Sequence, residues 1–329
     1  MNTLKKLLYI IFGLSISALS VWYLNQQASL KQVLPELWKI PIWSLLLAIL
    51  FVLMSFVARV VRWRLIATAF TTNPNSVTFS KTLSILSISY LYNNVLFFRV
   101  GDIYRAYQAN KIFSISFTHA AGSMIYERAL DLFVILIYLF LACMYLQVDI
   151  IGWFPQWLLL FAIALATTIV WVPGLLLPIA NGCLNLLSKT FPLLKNKLSH
   201  AQTSLKLFCT LVSSNKLKGI LFFHSLLIWF FELLLFFTIA ASVQDITHRS
   251  SMLLAMPVSS LTTLIPSAPG YIGTFDLAIT QTMSHFGNSS LASASVAIAI
   301  HFILWTSVTL IGLIFLLKQN AINFLPSKK

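Results

Sequence analysis

Ionised side chains inside apolar runs are the first place to look for chemistry, because each one near a bilayer centre costs about 2.5–3.5 kcal/mol. Glu127, Arg128 and Asp131 stand together near the start of a strongly apolar stretch. Glu127 and Asp131 are four apart on one helical face, and Arg128 is three from Asp131, a spacing that allows an internal ion pair. Such a cluster can meet an anion, or it can simply lock helices together.

A second group lies in 93–107, where Arg99, Asp102 and Arg105 surround Gly101 beside a helix break announced by Asn93-Asn94. A broken helix exposes unpaired N–H groups, which together with guanidinium make an anion site, and phosphate is the natural guest. The competing reading is a cytoplasmic loop whose arginines only follow the positive-inside rule. In 266–276, Pro266 and Pro269 stop one half-helix, Gly270 and Gly273 let the backbone turn, and Asp276 falls in the first turns of the next. An acid there is favoured by the helix dipole even without further function. Glu232, inside Trp229-Phe230-Phe231-Glu232-Leu233, has no cap or loop to excuse it and should face the bundle interior.

His224, His285 and His301 lack carboxylate or cysteine partners at ligand spacing, which favours hydrogen-bonded packing over metal. Cys143, Cys183 and Cys209 are far apart and form no CxxC, so neither disulfide nor zinc is expected. There is no Walker loop, GxSxG or HExxH. The expectation is a protein without cofactor that is not an enzyme.

The elements that must position these groups are membrane helices. Hydrophobic residues make up 59% of the 329, charged residues 9%, and mean hydropathy is +0.88. That solvent is lipid. The formal charge of +14 fits nucleic acid or an anionic membrane surface, and the hydropathy decides for the membrane. Runs of about 20 residues, enough to cross, occur at 7–24, 42–62, 118–146, 156–178, 219–242 and 291–317. Lys5-Lys6 before the first run would suit a signal peptide, but the run ends on Trp22-Tyr23, an interfacial anchor, so an uncleaved helix is expected.

Two further pieces, 83–98 and 252–265, are short and broken. If 83–98 crossed, the loop 181–218 with its six lysines would lie outside, against the positive-inside rule. The fold expected is therefore all-α integral membrane, with six transmembrane helices plus two re-entrant helical hairpins, 79–111 from the cytoplasm and 251–285 from outside. Both termini are expected in the cytoplasm of a cell with this protein in its inner membrane. Residues 1–329 form one membrane domain, in which unit 42–146 and unit 219–317 have opposite orientations, a hint of an inverted repeat. The linker 185–218 carries an amphipathic pattern over Leu194, Leu198, Ala201, Leu205 and Phe208, suited to the inner surface or to ordinary packing on the spans.

The three charged islands together, and their order, resemble the transmembrane region of the lysylphosphatidylglycerol synthase family, a flippase-like multi-pass family. Its Pro-Gly-Arg-x-Gly-Glu-x-x-Arg falls on Phe97, Phe98, Arg99, Val100, Gly101, Asp102 and Arg105, without the Pro and with Glu shortened to Asp. Its Glu-Arg-x-x-Asp is intact as Glu127, Arg128 and Asp131. Its Pro-Gly-Gly-x-Gly-x-x-Glu falls on Pro269, Gly270, Tyr271, Ile272, Gly273 and Asp276, with Tyr replacing a Gly. The chain stops at Lys329, so the resemblance implies the lipid-translocating half without the cytosolic synthase half.

The function expected is translocation of a phosphate-bearing or lipid-linked substrate between leaflets. Arg99, Arg105 and Arg128 would hold the anion, and Asp102, Glu127, Asp131 and Asp276 would balance them or carry a coupling proton. The partners expected are anionic membrane lipids, with no nucleic acid. The alternatives are a membrane-embedded enzyme on a lipid-linked substrate, using the carboxylates as acid and base, and an accessory subunit of a lipid-modifying complex.

Overall fold

The computed structural model describes residues 3–148, 156–172, 174, 177–190, 198–199, 202–203, 209 and 214–324. Among these the chain is all-α, with no strand. The helices, in chain order, are α1 (Thr3–Gln27), α2 (Leu30–Trp38), α3 (Ile42–Phe70), α4 (Phe79–Val95), α5 (Val100–Phe113), α6 (Phe117–Leu146), α7 (Gln156–Trp171), α8 (Leu177–Thr190), α9 (Asn215–Ser242), α10 (Met252–Thr262), α11 (Thr274–His285) and α12 (Ser290–Phe324).

Four of these, α3, α6, α9 and α12, are long and apolar enough to cross a membrane. Six such spans were expected. The run 7–24 does lie within α1, which has 25 residues. The run 156–178 contains the 16-residue α7, a shorter apolar helix whose flanks lie partly outside the described residues. The amphipathic pattern in 185–218 lies largely outside the described residues. Lys218, expected in that loop, is buried at the start of α9, where its Nζ donates to the carbonyl of Trp171 at 2.7 Å and caps α7.

Small residues let α3 and α9 approach closely, since Ser44, Ala48 and Ser55 on α3 are all buried. Around them Val52, Ile228, Leu235, Phe236 and Ile239 build the largest apolar core. The two helices are antiparallel: Phe51 meets Phe231 while Arg62, further along α3, meets Ser225, earlier in α9. The ends of α3 and α9 that lead into the hairpins therefore point in opposite directions.

Each hairpin is closed at its base. Thr71, just after α3, donates to the carbonyl of Phe113 at the end of α5 at 2.6 Å, which closes the α4–α5 hairpin. At the opposite end of the bundle, the Asn288 side chain accepts from the N–H groups of Thr247 (3.1 Å) and His248 (3.0 Å) and donates to the Met283 carbonyl, closing the α10–α11 hairpin. Each hairpin is broken at its tip by two consecutive left-handed residues. In the first these are Phe98 (φ 65) and Arg99 (φ 50), in the second Gly270 (φ 72) and Tyr271 (φ 61). The first hairpin packs α4 on α12, and the second packs α10 on α6. Each limb that follows a break, α5 or α11, returns along the long helix that follows it in sequence, α6 or α12.

Candidate functional site

The two tips meet. Arg99 Nη2 donates to the Tyr271 hydroxyl at 2.9 Å, and Trp305 of α12 directs its Nε1–H at the Asn94 carbonyl at 3.4 Å, below the first break. Non-helical backbone survives in an apolar medium only when buried in protein or lining a wet cavity. Here the cavity holds about 250 Å³. Its walls include Arg59 of α3, Tyr90 of α4, Arg99, Arg128 and Asp131 of α6, Trp229 and Glu232 of α9, Gly270 and Tyr271, and His301 and Trp305 of α12.

Most charges in this region are already matched. Arg62 grips Asp131 with both terminal nitrogens, Nη1 to Oδ1 at 2.6 Å and Nη2 to Oδ2 at 3.0 Å, and Trp229 Nε1 donates to the same carboxylate at 3.2 Å. Arg59 bonds to Glu232, which also accepts from Ser55 Oγ at 3.2 Å, and the Arg59 guanidinium lies 5.4 Å from the Trp229 ring centre. Arg105 Nη2 donates to Glu127 Oε2 at 2.5 Å and stacks 4.3 Å from the Trp63 ring centre. These bidentate and stacked geometries are what arginine provides and lysine does not.

Two guanidinium groups are left over. Arg128 comes no nearer to a carboxylate than 4.0 Å, to Asp102 Oδ1, and its side chain is 45% exposed. Arg99 has no carboxylate within ion-pair distance among the described residues, and its hydrogen-bond partner is the neutral Tyr271 hydroxyl. Both line the cavity, one from α6 and one from the first break. An anion entering would meet two cations not neutralised by hydrogen-bonded carboxylates, set among aromatic faces.

The structure gathers Arg99, Arg128, Asp131 and Gly270 at one cavity. It corrects several roles. The ion pair expected within α6 does not form, because Asp131 is taken by Arg62 from α3 and Glu127 by Arg105 from α5. Arg105 and Glu127, expected at the anion, are sealed against each other and do not line the cavity. Asp102, in the first turn of α5, accepts from Asn93 Nδ2 at 3.0 Å behind the cavity wall. Gly101 and Gly273 face away from the meeting point, Gly101 against the Ser89 carbonyl of α4 and Gly273 against Ser17 and Val21 of α1. Pro269 opens the turn that presents Gly270 without lining the cavity. Asp276 caps its helix, accepting the Gly273 N–H at 2.9 Å, and also meets His301 Nδ1 at 2.8 Å.

Glu232 faces the interior as expected. Arg59 and Arg62, at the end of the run read as 42–62, sit well inside α3, since that helix continues to Phe70. Their three-residue spacing inside an apolar run was the available signal, together with two intramembrane acids, Asp131 and Glu232, that needed partners. For Tyr90, Trp229 and Trp305 the sequence carried no signal, because an aromatic residue in an apolar helix reads as core. Among the described residues no group of three or more His, Cys, Asp or Glu is placed to hold a metal ion.

The family model described as the lysylphosphatidylglycerol synthase TM region matches residues 10–312. The chain belongs to this family. Comparison with curated proteins and with solved structures returned no match. Family membership and the four long apolar helices make it a multi-pass membrane protein of lipid metabolism or transport. The match spans all three charged islands and both hairpins, so the cavity lies wholly inside the family region.

Proposed function

We propose that this family member is a translocase that moves a phosphate-bearing lipid between leaflets and is not an enzyme. The observation that carries the reading is the pair Arg99 and Arg128, free of close carboxylates and facing one cavity where two broken hairpins meet. A cavity of about 250 Å³ takes a headgroup and not a whole lipid, since sites that enclose drug-sized ligands run to roughly 300–1,000 Å³. The acyl chains would stay in the bilayer, and Leu264, which lines the cavity and is 65% exposed, marks an apolar edge where they could pass. The lining acids, Asp131 and Glu232, are held by arginines, which leaves neither free as a general base and counts against the enzyme reading.

The packing supports an inverted repeat of the transporter kind, with 42–146 and 219–317 as its two units. Exchanging the units pairs α3 with α9, and carries the α4–α12 contact onto the α10–α6 contact. It also places the left-handed pair at 98–99 onto that at 270–271. In this reading both hairpins are re-entrant, the basic ends of the bundle and both termini face the cytoplasm, and the protein sits in the cell membrane with anionic lipids as its partners.

Reconstitution of purified protein into phosphatidylcholine vesicles with fluorescent phosphatidylglycerol or polyprenyl phosphate in one leaflet tests this. The expected result is protein-dependent loss of leaflet asymmetry with lipid mass unchanged. A changed lipid mass identifies an enzyme, and neither change identifies an accessory subunit; each outcome overturns the proposal.

A further inference from the structure

His301 is bonded at both ring nitrogens to groups that accept. Its Nε2 lies 2.7 Å from the Gly270 carbonyl, and its Nδ1 lies 2.8 Å from Asp276 Oδ1. A carbonyl oxygen cannot donate, so Nε2 must carry a hydrogen. A second hydrogen must lie between Nδ1 and Oδ1, whether imidazolium faces carboxylate or neutral imidazole faces carboxylic acid. The dyad in this geometry therefore holds two protons. The other carboxylate oxygen, Oδ2, accepts the Gly273 N–H at 2.9 Å, so the whole arrangement ties α12 to both ends of the turn at the second tip.

Remove one proton and both bonds cannot survive. With Asp276 ionised, the remaining ring hydrogen goes to Nδ1, where it faces a full negative charge and makes the stronger bond. Nε2 then points a lone pair at the Gly270 carbonyl, and that bond is lost. Gly270 is followed by Tyr271, whose hydroxyl joins the two tips through Arg99. The charge state of the dyad is thus wired to the contact that closes the cavity.

We infer that His301 and Asp276 form a proton-binding site that latches the second hairpin tip to α12, and that the proton bound there is the coupling ion of lipid movement. The coupling half rests on the translocase reading. A phosphodiester lipid carries one negative charge and crosses with or against the membrane potential, whereas the same anion accompanied by one proton is electroneutral. Among the described residues, Asp276 alone lies within ion-pair distance of His301. The charged and titratable groups facing it across the cavity are Arg59 of α3, Tyr90 of α4, Arg99 of the first tip, Arg128 and Asp131 of α6, Glu232 of α9, and Tyr271. Arg59 with Glu232 and Arg62 with Asp131 are mutually neutralised, so Arg99 and Arg128 are the charges left to sense an arriving anion. An anion resting on them would disfavour the singly protonated dyad, which carries a net negative charge, and favour the doubly protonated one, which is net neutral, so lipid and proton bind together and leave together.

Two measurements test the proposal on the full chain. The first is hydrogen–deuterium exchange over 263–273 in phosphatidylcholine nanodiscs, corrected for intrinsic exchange, as a function of pH. The expected result is a rise of at least tenfold in exchange of this segment as pH is raised, absent in His301→Gln, which keeps a donor and an acceptor but cannot titrate, and absent in Asp276→Asn. A pH-independent wild type, or a pH response kept by both variants, overturns the proton latch. The second is uptake of fluorescent phosphatidylglycerol in vesicles loaded with a pH-sensitive dye. Lipid movement accompanied by proton movement is expected in the wild type, and no pH-gradient-driven lipid movement in His301→Gln. Gradient-driven movement kept in that variant overturns the coupling role. Absence of any lipid movement by wild type refutes the translocase reading and the coupling with it, and the exchange experiment still decides the latch.

Discussion

Side chains in this bundle divide into those that are spent on structure and those that are free. Arg62 and Asp131 are spent: both are nearly inaccessible and hold each other through two hydrogen bonds. Removing one partner leaves a charge stranded in a medium that cannot solvate it, typically a loss of about 3–5 kcal/mol. Asp131→Ala should therefore lower the thermal unfolding temperature markedly in detergent, and Arg62→Met with Asp131→Leu should recover much of it; an unchanged midpoint in the single variant would show that water reaches the pair. Arg128 is free, with a side chain 45% exposed and no carboxylate closer than 4.0 Å. Arg128→Ala should leave the unfolding temperature almost unchanged while weakening phosphate-lipid binding about 10- to 100-fold, from the roughly 1.5–3 kcal/mol of a hydrogen bond to a charged group. Equal loss of stability in the two alanine variants would remove this division. Residue types alone could mark these charges as expensive, but not as spent or free. Spacing within one helix proposed Arg128 for Asp131, and the true partner came from a helix 69 residues away in sequence.

Elements are held at the site by small residues, and α4 shows how. Its mean composition is too polar for an isolated span, with Ser80, Ser84, Ser87 and Ser89 along it. It is buried because other helices come close on two sides. Gly101 of α5 rests on the Ser89 carbonyl, and Gly312 of α12 rests on the Ser87 carbonyl, at distances no Cβ could share. The Ser89 hydroxyl then donates to the Gly101 carbonyl at 2.8 Å, and the pair locks the two limbs of the first hairpin just below its break. We expect Gly101→Val and Gly312→Val each to open this contact and reduce the yield of folded protein, measured by size-exclusion profile and unfolding temperature. Gly219→Ala, at a position with open space around it, is the control and should be silent. A folded, fully stable Gly101→Val would mean that α4 and α5 are not tightly packed. The hairpins were legible from Gly, Pro and Asn interrupting apolar runs, because those residues act locally on the backbone. Which side of the hairpin the glycines served was not legible. Gly101 and Gly273 looked like ligand-facing turns, yet they provide close packing, and the turn positions that line the cavity are Arg99, Gly270 and Tyr271, two of the three carrying a side chain into φ > 0.

At the scale of the whole molecule the antiparallel pairing of α3 and α9 settles the geometry, since it sets the bases of the two hairpins at opposite ends and leaves their tips to meet between. The proposed orientation of the two ends rests on the charge pattern. The base of the first hairpin carries Lys81 and Lys111, both exposed, near the other cations that the positive-inside rule places in the cytoplasm; the base of the second carries Arg249, exposed, and Asp245. This orientation is a proposal that rests on counts of lysine and arginine in short loops. Four spans stand out among the described residues, and the run 156–178 lies partly outside them. The two ends can be distinguished directly. In a variant with Cys143, Cys183 and Cys209 replaced by serine, a single cysteine at position 249 should react with a membrane-impermeant maleimide in sealed cells. A single cysteine at 81 or 111 should react only after permeabilisation. Reaction of 111 and 249 from the same side would contradict opposed hairpins, and with them any exchange of the two units across the membrane.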